Sequence, residues 1–396
     1  MTKSIPAETP PATKKVYFKN LDGIRCFAAL MVILQHVSDY KNDVSADMPN
    51  AERSFVSHLG FYGVTLFFVL SGYLIFYLLF AEKKATDTVK IRDFYMRRVL
   101  RIWPLYFGFG LLSILGIDLL MKYMGVTINT PVTENLFYLF TFSINIQMIF
   151  ATINRGMIEL YWSVCIEEQF YLFAPWLVKK GSKIILPIIF GLIAVGIGSK
   201  ILLASLQDGG VMHFNEQYNP LSFFTTCWFD AFGFGILAAY IYFHKNIYER
   251  VRPVFENKIL QGIALLVAVL YVTNFIPRPE IVETYLFSTV PALLFAYIIL
   301  AASTGNFIFN LETNLLKRLG RYSYGIYVFH AAIAQLTLFV FLKIFSRDSV
   351  AAWEGLFPLT CIVLTCIIAG LSYEFYEKRF LKIKKSFTVI QNQKYN

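Results

Sequence analysis

Ten stretches of this chain stay apolar over about 20 residues, the length at which a helix crosses the hydrocarbon core of a bilayer. They fall near 21–40, 60–81, 102–121, 158–178, 184–204, 220–243, 259–276, 284–303, 322–345 and 355–376. A chain built this way is expected to be an all-α polytopic membrane protein, with about ten transmembrane helices around a central polar cavity. Composition agrees: 57% hydrophobic and 16% charged residues are too apolar for a soluble globular domain. Aromatic residues at 17% suit Tyr and Trp at the interfaces and Phe between helices.

The net charge of +10 invites a nucleic-acid reading. The distribution of the charge excludes it. With the N-terminus inside, alternate connecting segments hold 27 Lys and Arg on the inner side and 6 on the outer, with Arg25, Lys200 and Lys343 inside spans. This is the positive-inside pattern, and it places both termini in the cytoplasm. Residues 1–20 contain Pro6, Pro10, Pro11 and four lysines without an apolar core. They read as a disordered cytoplasmic tail, not a cleavable signal peptide. Residues 21–376 read as one membrane domain and 377–396 as a basic cytoplasmic tail. The stretch 134–150 is apolar but carries Asn135, Ser143, Asn145 and Gln147. If it spanned, Lys179, Lys180 and Lys183 would move outside, so it is expected to be interfacial or re-entrant. Cys26, Cys165, Cys227, Cys361 and Cys366 all lie in apolar segments. Their spacing suits neither zinc nor a disulfide framework, so they read as reduced packing residues and no metal is expected.

Ionisable residues inside spans are the functional candidates, because each is costly to place in hydrocarbon. Arg25 and His36 share the first helix. Eleven residues separate them, about 16 Å of rise, and bring them back to within roughly 20° of one direction. Snorkelling would explain Arg25 alone; the aligned pair points to a shared polar chamber. Arg97, Arg98 and Arg101 crowd one side of a helix beginning. By themselves they most simply meet anionic lipid; the functional reading is the capture of phosphate by planar guanidinium forks. Glu167 and Glu168 are adjacent and so point about 100° apart, one towards a cavity and one towards another helix. Ser163 shares the face of Glu167. Ser71, with Gly72, sits in a small-residue stretch of the second helix that allows close approach. Asp230 is an intramembrane acid expected to pair with a cavity arginine or to shape the site. His330 is a second intramembrane histidine, more often a packing residue. Glu374 and Glu377 are expected to pair with Lys378 and Arg379 at the interface.

Several of these residues sit in recognisable patterns. LDGIR followed by an apolar run to His36, FFVLSGYLI, RRVLRIWPLY, WSVCIEEQFYL and YSYGIYVFH together resemble the acyltransferase 3 family, integral-membrane enzymes that O-acylate glycans and other surface molecules. Cys26 stands where the family favours a small residue, and EFYEKRF lacks the proline usual near that point. The resemblance implies transfer of an acyl group, acetyl foremost, from acyl-CoA to a hydroxyl of a cell-surface glycan or lipid-linked sugar. His36 would act as general base or acyl carrier. Arg25 would hold the donor or stabilise negative charge, and Glu167 or Glu168 would orient the site. Arg97, Arg98 and Arg101 would meet the phosphates of acyl-CoA at the cytoplasmic mouth. Ser71, Ser163, Asp230 and His330 would face substrate. The donor is a substrate, and no permanently bound cofactor and no nucleic-acid partner is implied. The implied location is the bacterial inner membrane, in contact with its lipids. Some family members carry a fused extracytoplasmic esterase-like domain. This chain shows none, so the expectation is a stand-alone membrane domain working alone or with a separate acyl-accepting partner. The competing reading is a proton-coupled transporter or flippase of a glycolipid or small anion.

Overall fold

The computed structural model describes residues 15–42, 55–117, 123, 131–150, 156–211, 220–347, 349–388 and 391–392. The first fourteen residues of the expected tail lie outside these. The architecture is all-α. A two-residue strand β1 (Lys15–Val16) precedes α1 (Leu21–Asn42), α2 (Leu59–Thr86) and α3 (Ile91–Leu112), which is extended by a π turn at Ser113–Ile117. Two short helices follow, α4 (Val132–Phe140) and α5 (Ile144–Phe150), then α6 (Trp162–Gly181), α7 (Ile185–Asp208) and α8 (Phe229–Phe243). The second half comprises α9 (Lys245–Phe255), α10 (Lys258–Val272), α11 (Glu280–Tyr285), α12 (Thr289–Ser303), α13 (Asn314–Ile344), α14 (Phe357–Ser372), α15 (Lys378–Lys384) and strand β2 (Gln391–Asn392).

Each of the ten apolar runs contains a helix among its described residues. Among the described residues, seven helices are long and apolar enough to cross a membrane, or eight if α9 and α10, bent by 75°, form one span. The helix α12 is apolar but shorter, and α6 carries Glu167, Glu168, Lys179 and Lys180 within its 20 residues. The chain is a multi-pass membrane protein.

Glycines set the closest helix contacts. A Cβ at Gly72 of α2 would press on the Phe232 carbonyl of α8, and one at Gly235 on the Val69 carbonyl. Small residues of this kind let backbones approach without a hydrophobic driving force between helices. Gly320 of α13 lies against the Asp22 carbonyl of α1 in the same way. By contrast α7 turns Phe190, Val195, Ile201 and Leu202 outward.

Side-chain ties fix which ends share a face. Lys83 Nζ, near the end of α2, donates to the carbonyls of Val178 and Lys179 at 2.7 Å each, so α2 and α6 end on one side. The segment 134–150 therefore does not need to cross. It is a helical hairpin, α4 and α5, broken at Phe142, whose φ is +51°. Gln169 donates to the Phe142 carbonyl at 2.7 Å and to Asn145 at 3.0 Å. Gln169 lies about 10 Å along α6 at 1.5 Å per residue. The hairpin thus dips to mid-depth and returns. Its polar groups are buried against protein: Asn145 also donates to the Phe223 carbonyl at 3.0 Å, and Gln147 to Asn135 at 3.1 Å.

Both ends of the described chain meet on one face, where β1 pairs in parallel with β2. The expectation of a disordered tail up to residue 20 is corrected for its described residues, and the described part of the basic tail is packed. Asn20 is buried, with its amide donating to the Ala302 carbonyl at 3.1 Å. Residues 378–387 are helical and pack on α3.

Candidate active-site cavity

A cavity of about 510 Å³ opens on the face where β1 and α15 lie. That volume falls within the ordinary range for small-molecule sites. The walls come from α1, α2, α3, α6, α13 and the C-terminal segment.

Its mouth is cationic. Arg25, Arg97, Arg98, Arg101 and Arg321 line it, and so do Lys378, Lys382, Lys384 and Lys385. The acids that line it are Asp22, Glu82, Glu167 and Glu374. Three of these are tied to single cations: Glu82 to Arg97 at 2.8 Å, Asp22 to Arg25 at 3.5 Å, and Glu374 to Lys378 at 2.7 Å. An excess of positive charge remains, and low-dielectric walls focus it on whatever enters. The arginine trio divides in use. Arg97 is buried; one guanidinium nitrogen meets Glu82 and another donates to the Phe387 carbonyl at 2.7 Å. It braces the C-terminal segment. Arg98 lies over the rings of Phe94 and Tyr171 at 5.8 and 5.7 Å, and its buried Nε has no protein partner. Stacking of this kind holds a guanidinium flat while leaving its edge to a ligand.

Further in, the lining changes character. Glu167 accepts hydrogen bonds from the hydroxyls of Ser71 and Tyr171. Ser163 Oγ lies 2.7 Å from the Tyr327 hydroxyl, which donates to the Leu160 carbonyl at 2.6 Å. A phenol has one proton, so Ser163 is the donor in that pair. The cavity thus runs from a ring of cations to one carboxylate flanked by hydroxyls. Glu168 points away from it and accepts from Trp103 Nε1 at 3.0 Å, its other oxygen buried without a protein partner.

Four sequence expectations are corrected at this point, those for His36, His330, Asp230 and Glu377. His36 does not share the cavity with Arg25: the step of 11 residues from one to the other carries it past the cavity's end. Its ring packs 5.0 Å from that of His330, and its Nδ1 lies 3.9 Å from the Asp39 carboxylate. His330 lies one helical turn beyond Tyr327, itself a cavity-lining residue. Its Nδ1 is 2.6 Å from the Tyr327 carbonyl, which requires the proton on Nδ1 and leaves the buried Nε2 as an acceptor without a protein partner. The wall between histidines and cavity is formed by Tyr327 and Phe67, whose rings meet edge to face at 6.4 Å. Asp230 meets no cavity arginine. It is fully buried beside Lys200, 2.6 Å from its Nζ, and Lys200 also donates to Ser288 and to Thr289, the latter at 2.9 Å. That cluster ties α7, α8 and α12 and is structural. Glu377 is buried and accepts from Ser372 at 3.2 Å, whereas Glu374 does pair with Lys378 as expected.

Sequence reasoning missed Arg321 and the C-terminal lysines. A signal existed: Lys378, Lys382 and Lys385 recur at four and three residues, one face of a helix.

The family model described as an acyltransferase domain, that of acyltransferase 3, matches residues 18–373. The Bacillus subtilis protein named "Putative peptidoglycan O-acetyltransferase YrhL" is 25% identical over 378 residues, covering 91% of this chain and 54% of that protein. Peptidoglycan O-acetyltransferase OatA of Listeria monocytogenes is 26% identical over 391 residues, covering 91% of this chain and 55% of its own length. The chain therefore spans a little over half the length of these relatives. No solved structure matches it.

Proposed function

This chain belongs to the acyltransferase 3 family, and from that footing we propose that it moves an acetyl group from acetyl-CoA to a hydroxyl of a cell-surface glycan. Peptidoglycan, given as the acceptor in the names of two relatives, is the acceptor to test first. The observation that carries the reading is the sorting of chemistry along one cavity, an excess of cations at the mouth and then Glu167 between two hydroxyls, with the histidine pair outside it behind Tyr327. A polyphosphate donor fits the first part. Its uncharged acyl-pantetheine arm fits the part lined by Ser71, Ser163 and Glu167.

In this reading the cationic face is cytoplasmic, where acyl-CoA is made, and the membrane is the bacterial inner membrane. The acceptor hydroxyl attacks the thioester carbonyl while a base removes its proton. The carbon–sulfur bond then breaks, and the proton passes to the departing coenzyme A thiolate. His36 is the base, since an imidazole titrates near neutrality. Arg25 steadies the donor from within the mouth. Movement of Tyr327 and Phe67 brings the thioester to the histidine. A transporter reading does not account for the family match.

The test is mass spectrometry of surface glycans from cells expressing the chain, its His36→Ala variant or its Glu167→Gln variant. Loss of a base or of its orienting group costs about 10²–10⁴-fold in rate. The added acetyl group should disappear in His36→Ala while protein level and detergent-solution size are kept. Acetylation retained in His36→Ala but lost in Glu167→Gln would move the base to Glu167. Retention in both would overturn the reading.

A further inference from the structure

The C-terminal segment has an unassigned place in the cavity. Lys378, Leu381, Lys382, Lys384, Lys385 and Thr388 all line it. The segment is held there as a wall. Arg97 donates to the Phe387 carbonyl at 2.7 Å, the Tyr376 hydroxyl donates to the Pro104 carbonyl at 2.9 Å, and β2 pairs with β1. Glu82, which holds Arg97, also accepts from the Lys90 backbone at 2.9 Å, so the brace is itself fixed. Lys384 is half-buried and faces Arg25, Arg97, Arg98 and Arg101. Even with Arg97 paired to Glu82 and Arg25 to Asp22, crowding cations around one space costs free energy, and a polyanion filling that space relieves it. The cations are also layered. Arg98 and Arg101 are half-buried inside the mouth, whereas Lys382 and Lys385 are exposed at its rim, three residues apart on one helix face.

We propose that Lys382 and Lys385 form a second anion subsite of the donor cavity, one that holds the 3′-phosphate of the nucleotide end of coenzyme A while Arg98 and Arg101 hold the pyrophosphate. This rests on the donor reading above. Coenzyme A carries its phosphates in two places: a pyrophosphate next to the pantetheine arm and a 3′-phosphate on the ribose beyond it. With the arm directed inward to Ser71 and Glu167, the pyrophosphate falls among the arginines. The ribose phosphate falls at the rim. Arg97, committed to Glu82 and to the Phe387 carbonyl, is the positioning residue that keeps the two lysines in place. An anionic lipid headgroup is the other anion a rim lysine could meet. The lining of the cavity by Lys382 and Lys385 favours the nucleotide.

The experiment is calorimetric binding of coenzyme A and of 3′-dephospho-coenzyme A to the full chain in nanodiscs of neutral lipid. The unsubstituted chain should prefer coenzyme A by about tenfold, the scale of one charge-assisted contact. In K382Q/K385Q the two ligands should bind within about twofold of each other, through weaker coenzyme A binding alone. Arg98→Gln should weaken both alike. A K382Q/K385Q chain that keeps the wild-type preference overturns the subsite, as does an unsubstituted chain that binds both ligands equally. Weaker binding to phosphatidylglycerol vesicles with an unchanged nucleotide ratio would make these lysines lipid contacts and also overturn it. Failure of the unsubstituted chain to bind either nucleotide is a different pattern: it removes the donor reading and the subsite with it.

Discussion

At the scale of single residues, buried charge divides into groups held for packing and groups held open to a cavity. Lys200 and Asp230 belong to the first kind. Both are fully buried, Lys200 Nζ has three oxygen partners, and its ring neighbour Phe287 lies at 5.1 Å. Removing one partner of such a pair strands the other without compensation, at about 3–5 kcal/mol. Lys200→Met should therefore lower the thermal unfolding midpoint of the protein in detergent sharply. K200M/D230N, which removes both charges while leaving an amide for Thr289 to donate to, should recover most of the loss. Equal destabilisation by the single and double variants would show that the pair's charge is not what holds α7 to α8. Glu167 belongs to the second kind: its partners are hydroxyls, and it lines the cavity. Sequence alone singled out every one of these acids by its cost in hydrocarbon. It could not tell the two kinds apart, because the partner of Asp230 lies 30 residues away on another helix. For the same reason the helical stripe containing Arg25 and His36 was legible while the wall between them was not. That wall is made by Phe67 and Tyr327, which come from α2 and α13.

At the scale of elements, the cavity-lining helix α2 is placed by its close approach to α8. Gly72 and Gly235 each place bare backbone against the opposing carbonyl. Val at position 235 would drive its side chain into the Val69 carbonyl and the Tyr73 amide, and backbone does not move aside as a flexible side chain does. Overpacking typically costs about 1–3 kcal/mol, and more where backbone is the obstacle. Gly235→Val should thus reduce the yield of monodisperse protein on size-exclusion chromatography, with Gly198→Ala as its control. A Cβ at Gly198 meets nothing within 4 Å, and alanine there gains about 1 kcal/mol of helix propensity. If the two variants behave alike, the α2–α8 contact is looser than described. The positions of the spans were legible from hydropathy because length and apolarity are local. The continuation of the chain past 377 as a cavity wall was not, because a run of lysines reads as a solvated tail until α3 and β1 pack against it.

At the scale of the whole molecule, the inner and outer faces follow from a few ties. β1 and β2 place both described ends on one face, which requires an even number of crossings between them. Lys83 places the end of α6 on that same face, since α2 runs from Leu59 to Thr86 and Glu82 near its end lines the cationic mouth. The hairpin of α4 and α5 must then start and finish on the opposite face. A charge count alone reached the same conclusion by refusing to move Lys179, Lys180 and Lys183 outward. The structure adds the reason the hairpin can stop at mid-depth: Gln169, Asn145 and Thr225 satisfy one another and the open Phe142 carbonyl there. Single cysteines at Thr133 and Glu280 should therefore react with a membrane-impermeant maleimide in intact cells, and cysteines at Lys183 and Lys258 only after the membrane is opened. The unsubstituted chain sets the background. Its described cysteines are buried except for the half-buried Cys366. Labelling of position 183 from outside would mean that the hairpin spans. The end of α6 would then leave the cationic face, and the cavity could not have one cytoplasmic mouth.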